Sequence, residues 1–229
     1  VYGLQPRGLE DNLQEPHVTV EDMAACYVTT IQEAGFREPF QLAGASFGGL
    51  VAFEMARQFE SAGKEVSFVG LLDTYASQVE QDDDDAGLLW ALFEEDIDLS
   101  LDYLRTLEPE ELLNYVIKQA KDAHLLPPDF GAERFRLILQ MTKISVRASM
   151  HYNPGHYKGK VVLFRAKGST NENQDNTLGW KDILSENFEV KFVPGSHQNM
   201  FREPHVGVLV ESLKEYMMGE RKDTGQVFS

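Results

Sequence analysis

The sequence reads Gly44-Ala45-Ser46-Phe47-Gly48-Gly49 at the junction between a strand-like run and a helix-like run. The preceding residues, 40–43, are mostly apolar, and residues 50–59 contain good helix formers and neither Gly nor Pro. A strand, Gly-x-Ser-x-Gly and a helix in this order are typical of a nucleophile elbow, a sharp turn that lifts a serine hydroxyl above the end of a sheet. We therefore expect Ser46 to be a nucleophile.

The same turn predicts roles for the neighbours of Ser46. Gly44 and Gly48 are expected to keep the turn open, because only small residues fit beside the serine. The backbone N–H of Phe47 comes at the start of the helix, where the positive end of the helix dipole favours an oxyanion. Because Gly-x-Ser-x-Gly also occurs in ordinary turns, the interpretation depends on the flanking strand and helix.

The composition is that of a globular domain. A chain of 229 residues, 42% hydrophobic and 25% charged, suits one α/β domain with an insertion. Cys26 is the only cysteine, so an internal disulfide is excluded, and a reducing, cytoplasmic location is favoured. We find no run as long as a membrane span, and residues 1–4 do not have the character of a signal peptide.

The charge is strongly acidic and uneven. The net charge of −16 argues against nucleic acid and anionic membranes as partners. Residues 75–125 hold 14 Asp and Glu against 3 Lys and Arg, a balance of −11, with the run Asp82-Asp83-Asp84-Asp85 as its extreme. We interpret this run as a solvated, mobile loop, because consecutive aspartates lack the spacing of a calcium-binding loop. No metal site or phosphate-binding glycine loop is predicted.

The hydrophobic pattern alternates between strands and helices at both ends of the chain and is helical between them. Residues 66–72 form a continuous apolar run, which is typical of a strand buried on both faces of a parallel sheet. From about residue 75 to residue 157 the strand signals stop, which predicts a helical insertion into an α/β domain that spans residues 1–229. Strands are predicted at residues 1–4, 40–43, 66–72, 160–166 and 188–193, and helices at residues 20–34, 50–61, 88–93, 109–123, 132–150 and 203–217.

Three polar side chains follow predicted strands and form a complete catalytic set. Ser46 and Asp73 come after successive strands, and His197 follows the last one. Carboxyl ends of parallel strands meet at one edge of a sheet, and the order Ser, Asp, His is that of α/β-hydrolases. His197 would take the serine proton and Asp73 would orient the histidine. Alternatives remain open, since Asp73 could cap the insertion, Asp175 and Asp182 could supply the acid, and His151, His156 and His205 compete with His197.

The chain resembles the thioesterase domains that end nonribosomal peptide synthetases, to which polyketide synthase thioesterases are closely related. The resemblance implies a helical lid at about residues 75–157 and places the family's serine, aspartate and histidine on Ser46, Asp73 and His197. The matching motifs are Val1-Tyr2-Gly3-Leu4-Gln5-Pro6-Arg7-Gly8, the Ser46 segment, Leu71-Leu72-Asp73-Thr74, Gly179-Trp180, and Pro194-Gly195-Ser196-His197 continuing to Met200-Phe201-Arg202-Glu203-Pro204-His205.

The resemblance implies an α/β-hydrolase with a mostly parallel sheet, helices on both faces and a helical lid that is more mobile than the sheet. Its substrate would be a small peptidyl or acyl thioester on the phosphopantetheine of a carrier domain, released by hydrolysis or macrocyclisation, with no bound cofactor or metal. Other readings are a stand-alone editing thioesterase, which would favour Asp175 as the acid, a generic serine esterase, and a non-catalytic binding module.

One family feature has no counterpart at the start of this sequence. Such domains open with a strand and a His-Pro-x-Gly-Gly-like loop that supplies a second oxyanion N–H, whereas this sequence opens on what resembles the following strand. The expectation is that the N-terminal strand is missing and that residues 1–229 alone form a poorer and less soluble thioesterase than a longer chain.

Overall fold

The centre of the fold is a parallel sheet of four strands. The computed structural model describes residues 1–9, 15–77, 84–170, 175–184 and 187–219. Within these residues the strands follow chain order across the sheet, β1-β2-β3-β4. They are β1 (Phe40–Ala45), β2 (Val66–Leu72), β3 (Val161–Ala166) and β4 (Phe188–Val193).

Seven α-helices accompany the sheet in the described part of the chain. Their starts follow local sequence signals: the Thr19 side chain accepts the Asp22 N–H at the first helix, and Pro109 occupies the first turn of the fifth. The helices are α1 (Val20–Glu33), α2 (Phe47–Ser61), α3 (Asp85–Phe93), α4 (Leu101–Leu104), α5 (Pro109–Asp122), α6 (Ala132–His151) and α7 (Val206–Gly219).

Helices cover both faces of the sheet because side chains of each strand alternate between the faces. Helix α2 packs on β1 and β2, and Phe59 of α2 stacks on Phe40 at 4.2 Å between ring centroids. On the other face, Tyr216 of α7 packs edge-on against Phe164 at 5.7 Å. Every residue of β3 is buried, as expected for an inner strand of a parallel sheet. The predicted α/β class is confirmed.

The chain divides into two compact units. One comprises residues 1–18 and 78–151, and the other comprises residues 19–77 and 152–229. The first contains α3 to α6 and has a core of its own, in which Phe135 of α6 stacks on Phe93 of α3 at 6.2 Å between ring centroids. The second contains the sheet, α1, α2 and α7.

Most predicted elements lie where the pattern placed them, and the differences have physical reasons. Residues 1–4 are not a strand and belong to none of the four described strands, so the β character of these residue types was not sufficient to form one. The last helix begins at Val206, after a turn over residues 201–205. In α6, the spacing predicts a buried stripe of Leu137, Ile138, Met141, Ile144 and Ala148, but only Met141 and Ala148 of these are buried, together with Phe135 and Leu139.

The acidic run is only partly within the described residues, since Asp82 and Asp83 lie outside them. Asp84 is the N-cap of α3, where its carboxylate accepts the Gly87 N–H at 2.5 Å and binds Arg105 at 3.1 Å. Asp85 forms an ion pair with Lys143. The expectation of a loop was therefore wrong for Asp84 and Asp85, whose carboxylates stabilise the start of a helix while remaining partly exposed to solvent.

Candidate active site

Ser46 occupies the turn between β1 and α2. Its backbone has φ 48° and ψ −122°, a conformation that non-glycine residues rarely adopt. The Ser46 N–H donates to the Leu72 carbonyl of β2 at 2.9 Å, which ties the turn to the neighbouring strand. Strained backbone persists where the surrounding structure enforces it, and it is concentrated at functional sites. The geometry is that of the predicted nucleophile elbow.

The glycines around Ser46 differ in what they allow. A Cβ at Gly44 would overlap the Gly48 backbone, as the tight turn predicts. A Cβ at Gly48 would meet nothing within 4 Å, so the expectation that crowding requires Gly48 is wrong. The crowded position is Gly49, where a Cβ would overlap the buried Thr74 side chain. Because Gly49 has no side chain, the first turn of α2 can pack directly against Thr74, the residue that follows Asp73 after the end of β2.

The difference in crowding between Gly48 and Gly49 leads to a prediction about stability. We expect Gly49→Ala to lower the free energy of unfolding by about 1–3 kcal/mol, because Thr74 has no space to retreat. Gly48→Ala is the matched control. It adds the same methyl group one position earlier in the same helix turn and is expected to change stability by less than about 0.5 kcal/mol. Urea denaturation followed by circular dichroism measures both, and equal losses would contradict the crowding at Gly49.

Asp73 follows β2 directly and is 1% exposed. Its φ of 46° is again unusual for a residue with a side chain. One carboxylate oxygen, Oδ1, accepts the Ala166 N–H at 2.9 Å and an N–H of Arg165 at 2.5 Å. The other, Oδ2, lies 2.9 Å from Nδ1 of His197. Each oxygen of the acid is therefore assigned to defined partners.

The surroundings of Asp73 keep it ionised. Burial raises the pKa of the Asp73 carboxyl, but the hydrogen bonds from His197, the Ala166 N–H and Arg165 outweigh burial and lower the pKa below its ordinary value. An ionised carboxylate can only accept hydrogen bonds. Nδ1 of His197 must therefore carry a proton toward Asp73, which leaves Nε2 of the neutral imidazole as a proton acceptor.

His197 lies in the loop between β4 and α7, and its side chain is 40% exposed. Two hydrogen bonds hold it from opposite ends: the ring contacts Asp73, and the backbone N–H donates to Oγ of Ser169 at 2.8 Å. The loop is also closed by a bond from the Gly168 N–H to the Gly195 carbonyl at 2.7 Å. The histidine is thus oriented, with one ring nitrogen still accessible.

The structure places the predicted residues within one of the two units. Ser46 and Asp73 end adjacent parallel strands, and Asp73 contacts His197 directly. Ser46 and His197 are not hydrogen-bonded to each other in the described part of the chain. The Phe47 N–H opens α2 and has no acceptor among the described residues, as the first N–H groups of a helix lack intrahelical partners. It is therefore available to an oxyanion.

None of the alternative acids and bases is hydrogen-bonded to Asp73 or to the His197 ring in the described part of the chain. Asp175 is bonded within its own turn, where its carboxylate accepts the N–H groups of Thr177 and Gly179, both at 2.9 Å. Asp182 is exposed in a 3-10 turn at Trp180–Asp182. Neither contacts His197 within the ranges that the structure describes. His151 ends α6, the backbone carbonyl of His156 accepts from Arg57, and the His205 N–H donates to the Arg202 carbonyl in the turn before α7.

Two residues of this site were not found by sequence reasoning. Arg165 is fully buried in β3 and contacts both Asp73 and the Ser169 carbonyl. The sequence could have indicated Arg165, because it is a charged residue in an otherwise apolar predicted strand and a buried charge requires a partner. Ser169 follows β3 and had no comparable signal. Its contact with the His197 backbone arises only when the two loops meet.

The described residues contain no group of three or more His, Cys, Asp or Glu side chains that could hold a metal ion. Over the same residues, none of the helices combines the length and the apolar character needed to cross a membrane.

Several known proteins are similar to this chain over most of its length. An atromentin synthetase from Tapinella panuoides is 29% identical over 230 residues, which cover 90% of this chain and 23% of that protein. Two proteins from Paxillus involutus, an atromentin synthetase and an inactive atromentin synthetase, are each 26% identical over 90% of this chain. The chain spans 22–23% of the length of these relatives.

Solved structures share the fold. The four-domain nonribosomal peptide synthetase holo-AB3403, bound to AMP and glycine, is 26% identical, with a TM-score of 0.81 over 93% of this chain and 17% of that one. The NocB thioesterase domain, in covalent complex with a fluorophosphonate nocardicin G analogue, is 23% identical, with a TM-score of 0.68 over 93% of this chain and 80% of that one. These similarities confirm the predicted α/β-hydrolase fold. With a match to the thioesterase domain model over residues 1–215, the chain belongs to the thioesterase domain family.

Proposed function

We propose that this chain releases a peptidyl or acyl group from a thioester through a covalent intermediate on Ser46. The observation that carries the proposal is the Asp73–His197 hydrogen bond of 2.9 Å, in the same unit as a serine with the backbone of a nucleophile elbow. A serine hydroxyl is a weak nucleophile until a base removes its proton, and an oriented histidine supplies that base. Membership of the thioesterase family supports a thioester as the bond that is cleaved.

The first half of the reaction transfers the acyl group to the enzyme. Oγ of Ser46 attacks the thioester carbonyl while Nε2 of His197 takes the hydroxyl proton. The negative charge that develops on the carbonyl oxygen is stabilised by the Phe47 N–H at the start of α2. The C–S bond then breaks, the thiolate leaves with the proton from His197, and the acyl group remains as an ester on Ser46.

The second half releases the product. Water, or a nucleophile within the bound acyl chain, gives a proton to His197 and attacks the ester carbonyl. The Ser46 oxygen leaves and recovers its proton from His197. Water yields a free acid, and an internal nucleophile yields a ring. Throughout both halves, Asp73 stabilises the protonated imidazole without taking its proton.

We further propose that the thioester arrives on the phosphopantetheine arm of a carrier domain. The support is that the atromentin synthetases and one solved neighbour, a four-domain nonribosomal peptide synthetase, are several times longer than this chain. A stand-alone editing thioesterase with its acid after β3 is less well supported, because Asp175 is bonded within its own turn while Asp73 contacts His197.

The experiment compares an acyl phosphopantetheine thioester, the oxygen ester of the same acyl group, and the same acyl group loaded on a carrier domain. Acid-quenched samples from the first turnovers are analysed by intact mass and by peptide mapping. We expect an acyl adduct on the peptide that contains Ser46, and faster turnover of the thioesters than of the oxygen ester. Products differ by one water between hydrolysis and cyclisation.

Two outcomes would contradict the proposal. Product formation without an acyl adduct, under conditions in which the deacylation step is slow, would exclude the covalent route. Equal rates with the oxygen ester and both thioesters would favour a generic esterase, for which no carrier is needed.

A further inference from the structure

We propose that Arg165 is a positioning residue for Asp73 and His197. One nitrogen of its guanidinium binds the Asp73 carboxylate, and another binds the carbonyl of Ser169, the residue whose hydroxyl accepts the His197 backbone N–H. This inference rests on the proposed function of Asp73 and His197. It adds a residue that acts through them and does not itself touch the substrate.

The first step is the division of the Asp73 carboxylate. Arg165 and the Ala166 N–H both bind Oδ1, at 2.5 and 2.9 Å, which leaves Oδ2 to His197. Two donors on one oxygen define both the position and the rotation of the carboxylate. A carboxylate without the Arg165 contact would keep one donor on Oδ1 and could turn about its Cβ–Cγ bond, taking Oδ2 away from the imidazole.

The second step is the link to the histidine loop. The second terminal nitrogen of the guanidinium, Nη2, donates to the Ser169 carbonyl at 2.8 Å, and the Ser169 hydroxyl oxygen accepts the His197 backbone N–H at 2.8 Å. The four residues Asp73, Arg165, Ser169 and His197 therefore form a closed ring of hydrogen bonds. Both the ring and the backbone of His197 are connected to the same guanidinium.

The third step is electrostatic. Arg165 is fully buried and Asp73 is 1% exposed, so the two charges interact with little screening by water. A buried charge without a partner is strongly unfavourable, which explains why both side chains are ionised together. Arg165 also helps to lower the pKa of the Asp73 carboxyl. Among the described residues, Arg165 and His197 are the charged or titratable side chains in hydrogen-bond contact with Asp73.

Three substitutions separate the charge from the shape. Arg165→Met removes both. Arg165→Lys keeps the positive charge but lacks the planar fork that reaches Asp73 and Ser169 together. Ser169→Ala keeps the Arg165–Asp73 contact and removes only the acceptor for the His197 N–H. Arg57→Met is the matched control, because Arg57 is an arginine of the same unit that pairs with Glu54, away from Asp73.

The rate is measured as kcat/KM against pH with one thioester. We expect Arg165→Met to lose about 10–100-fold in kcat/KM, as is typical when a residue that orients a functional group is removed. The acidic limb of its pH profile should move to higher pH, because Asp73 loses a cation that favours its ionised form. Arg165→Lys should also be slower but keep the acidic limb near that of the wild type. Ser169→Ala should be slower without a shift of the limb, and Arg57→Met should change neither.

A second measurement does not depend on turnover. The proton on Nδ1 of His197 gives a low-field NMR resonance when it is bonded to a carboxylate, identified by its loss in His197→Gln. We expect this resonance to shift or broaden in Arg165→Met and to be retained in Arg57→Met. If Ser46 were not the nucleophile, a serine-directed fluorophosphonate probe would label neither the wild type nor Ser46→Ala, or would label both, while this resonance and its dependence on Arg165 would remain.

The proposal is overturned if Arg165→Met, folded by near-ultraviolet circular dichroism, keeps both the wild-type acidic limb and the His197 resonance. It is also overturned if Arg57→Met slows turnover as much as Arg165→Met. Should Arg165→Met fail to fold, Arg165→Lys and Ser169→Ala carry the test. Wild-type rates and resonance in both of them would then reject the role of Arg165.

Discussion

Replacing Ser46 by alanine is expected to reduce thioester turnover by about 10⁴- to 10⁶-fold, the range typical for the loss of a nucleophile that acts together with its base. The substitution removes one half-buried oxygen whose hydroxyl makes no hydrogen bond to His197 in the described part of the chain. We therefore expect the fold to be unchanged. The unusual backbone of this turn is no easier for an alanine to adopt than for a serine, so the substitution should not relieve it. Urea denaturation of both proteins checks this point.

A fluorophosphonate probe reports on the nucleophile directly, because it forms a covalent bond only with an activated serine. Wild-type protein should be labelled and Ser46→Ala should not. Ser61→Ala is the control, since Ser61 is an exposed serine at the end of the same helix and should leave labelling intact. Equal labelling of the wild type and Ser46→Ala would show that the reactive serine lies elsewhere.

The second large effect is expected at Asp73. Asp73→Asn should lower turnover by up to about 10⁴-fold through the wrong tautomer of His197. Oδ1 accepts hydrogen bonds from Arg165 and the Ala166 N–H, so an asparagine must keep its carbonyl oxygen there. Its NH2 group would then face Nδ1 of His197. Nδ1 would become an acceptor, Nε2 would carry the proton, and the base would be lost.

Asp175→Asn is the matched comparison, because it makes the same chemical change in an exposed turn. An asparagine retains an oxygen for the N–H groups of Thr177 and Gly179, so near wild-type turnover is expected. The reverse pattern, a loss at Asp175 and none at Asp73, would favour the arrangement of an editing thioesterase. Because Asp73→Asn removes one partner of the buried Arg165–Asp73 ion pair, the free energy of unfolding of this variant is expected to fall, by up to about 3–5 kcal/mol. Turnover must therefore be compared at a temperature where both variants are folded.

Residues 75–157, where a lid is expected, contain α3 to α6 in the part of the chain that the structure describes, and these helices have a core of their own. The mobility of this lid remains a prediction. Hydrogen exchange that is faster in α3 than in β1 is the expected result, because lids are drawn from the less stable parts of a structure. Protection of α3 equal to that of β1 would contradict a mobile lid.

Local sequence determined the elements and the residues that end them. Helix α5 begins at its proline, and the apolar residues that recur at helical spacing along it are buried: Leu112, Leu113, Val116, Ile117 and Ala120. The apolar run at residues 66–72 is β2. Both depend on contacts between near neighbours or on the alternation of side chains along one segment, so a single stretch contains the information. For the same reason, the carboxyl ends of the predicted strands indicated Ser46, Asp73 and His197 as candidates, and the predicted turn indicated the Phe47 N–H.

Tertiary structure alone decided which acid meets the histidine and what supports them. Asp73 and His197 are separated by 124 positions, and Arg165 by 92 from Asp73, so no local pattern couples them. The choice between Asp73 and Asp175 depended on the register of β2 and β3, which places the Ala166 N–H and Arg165 on one oxygen of Asp73. The crowding at Gly49 likewise appears only when α2 packs over the end of β2. These contacts form between strands and loops that are brought together by the burial of the sheet, and a pattern read along the chain contains no such distances.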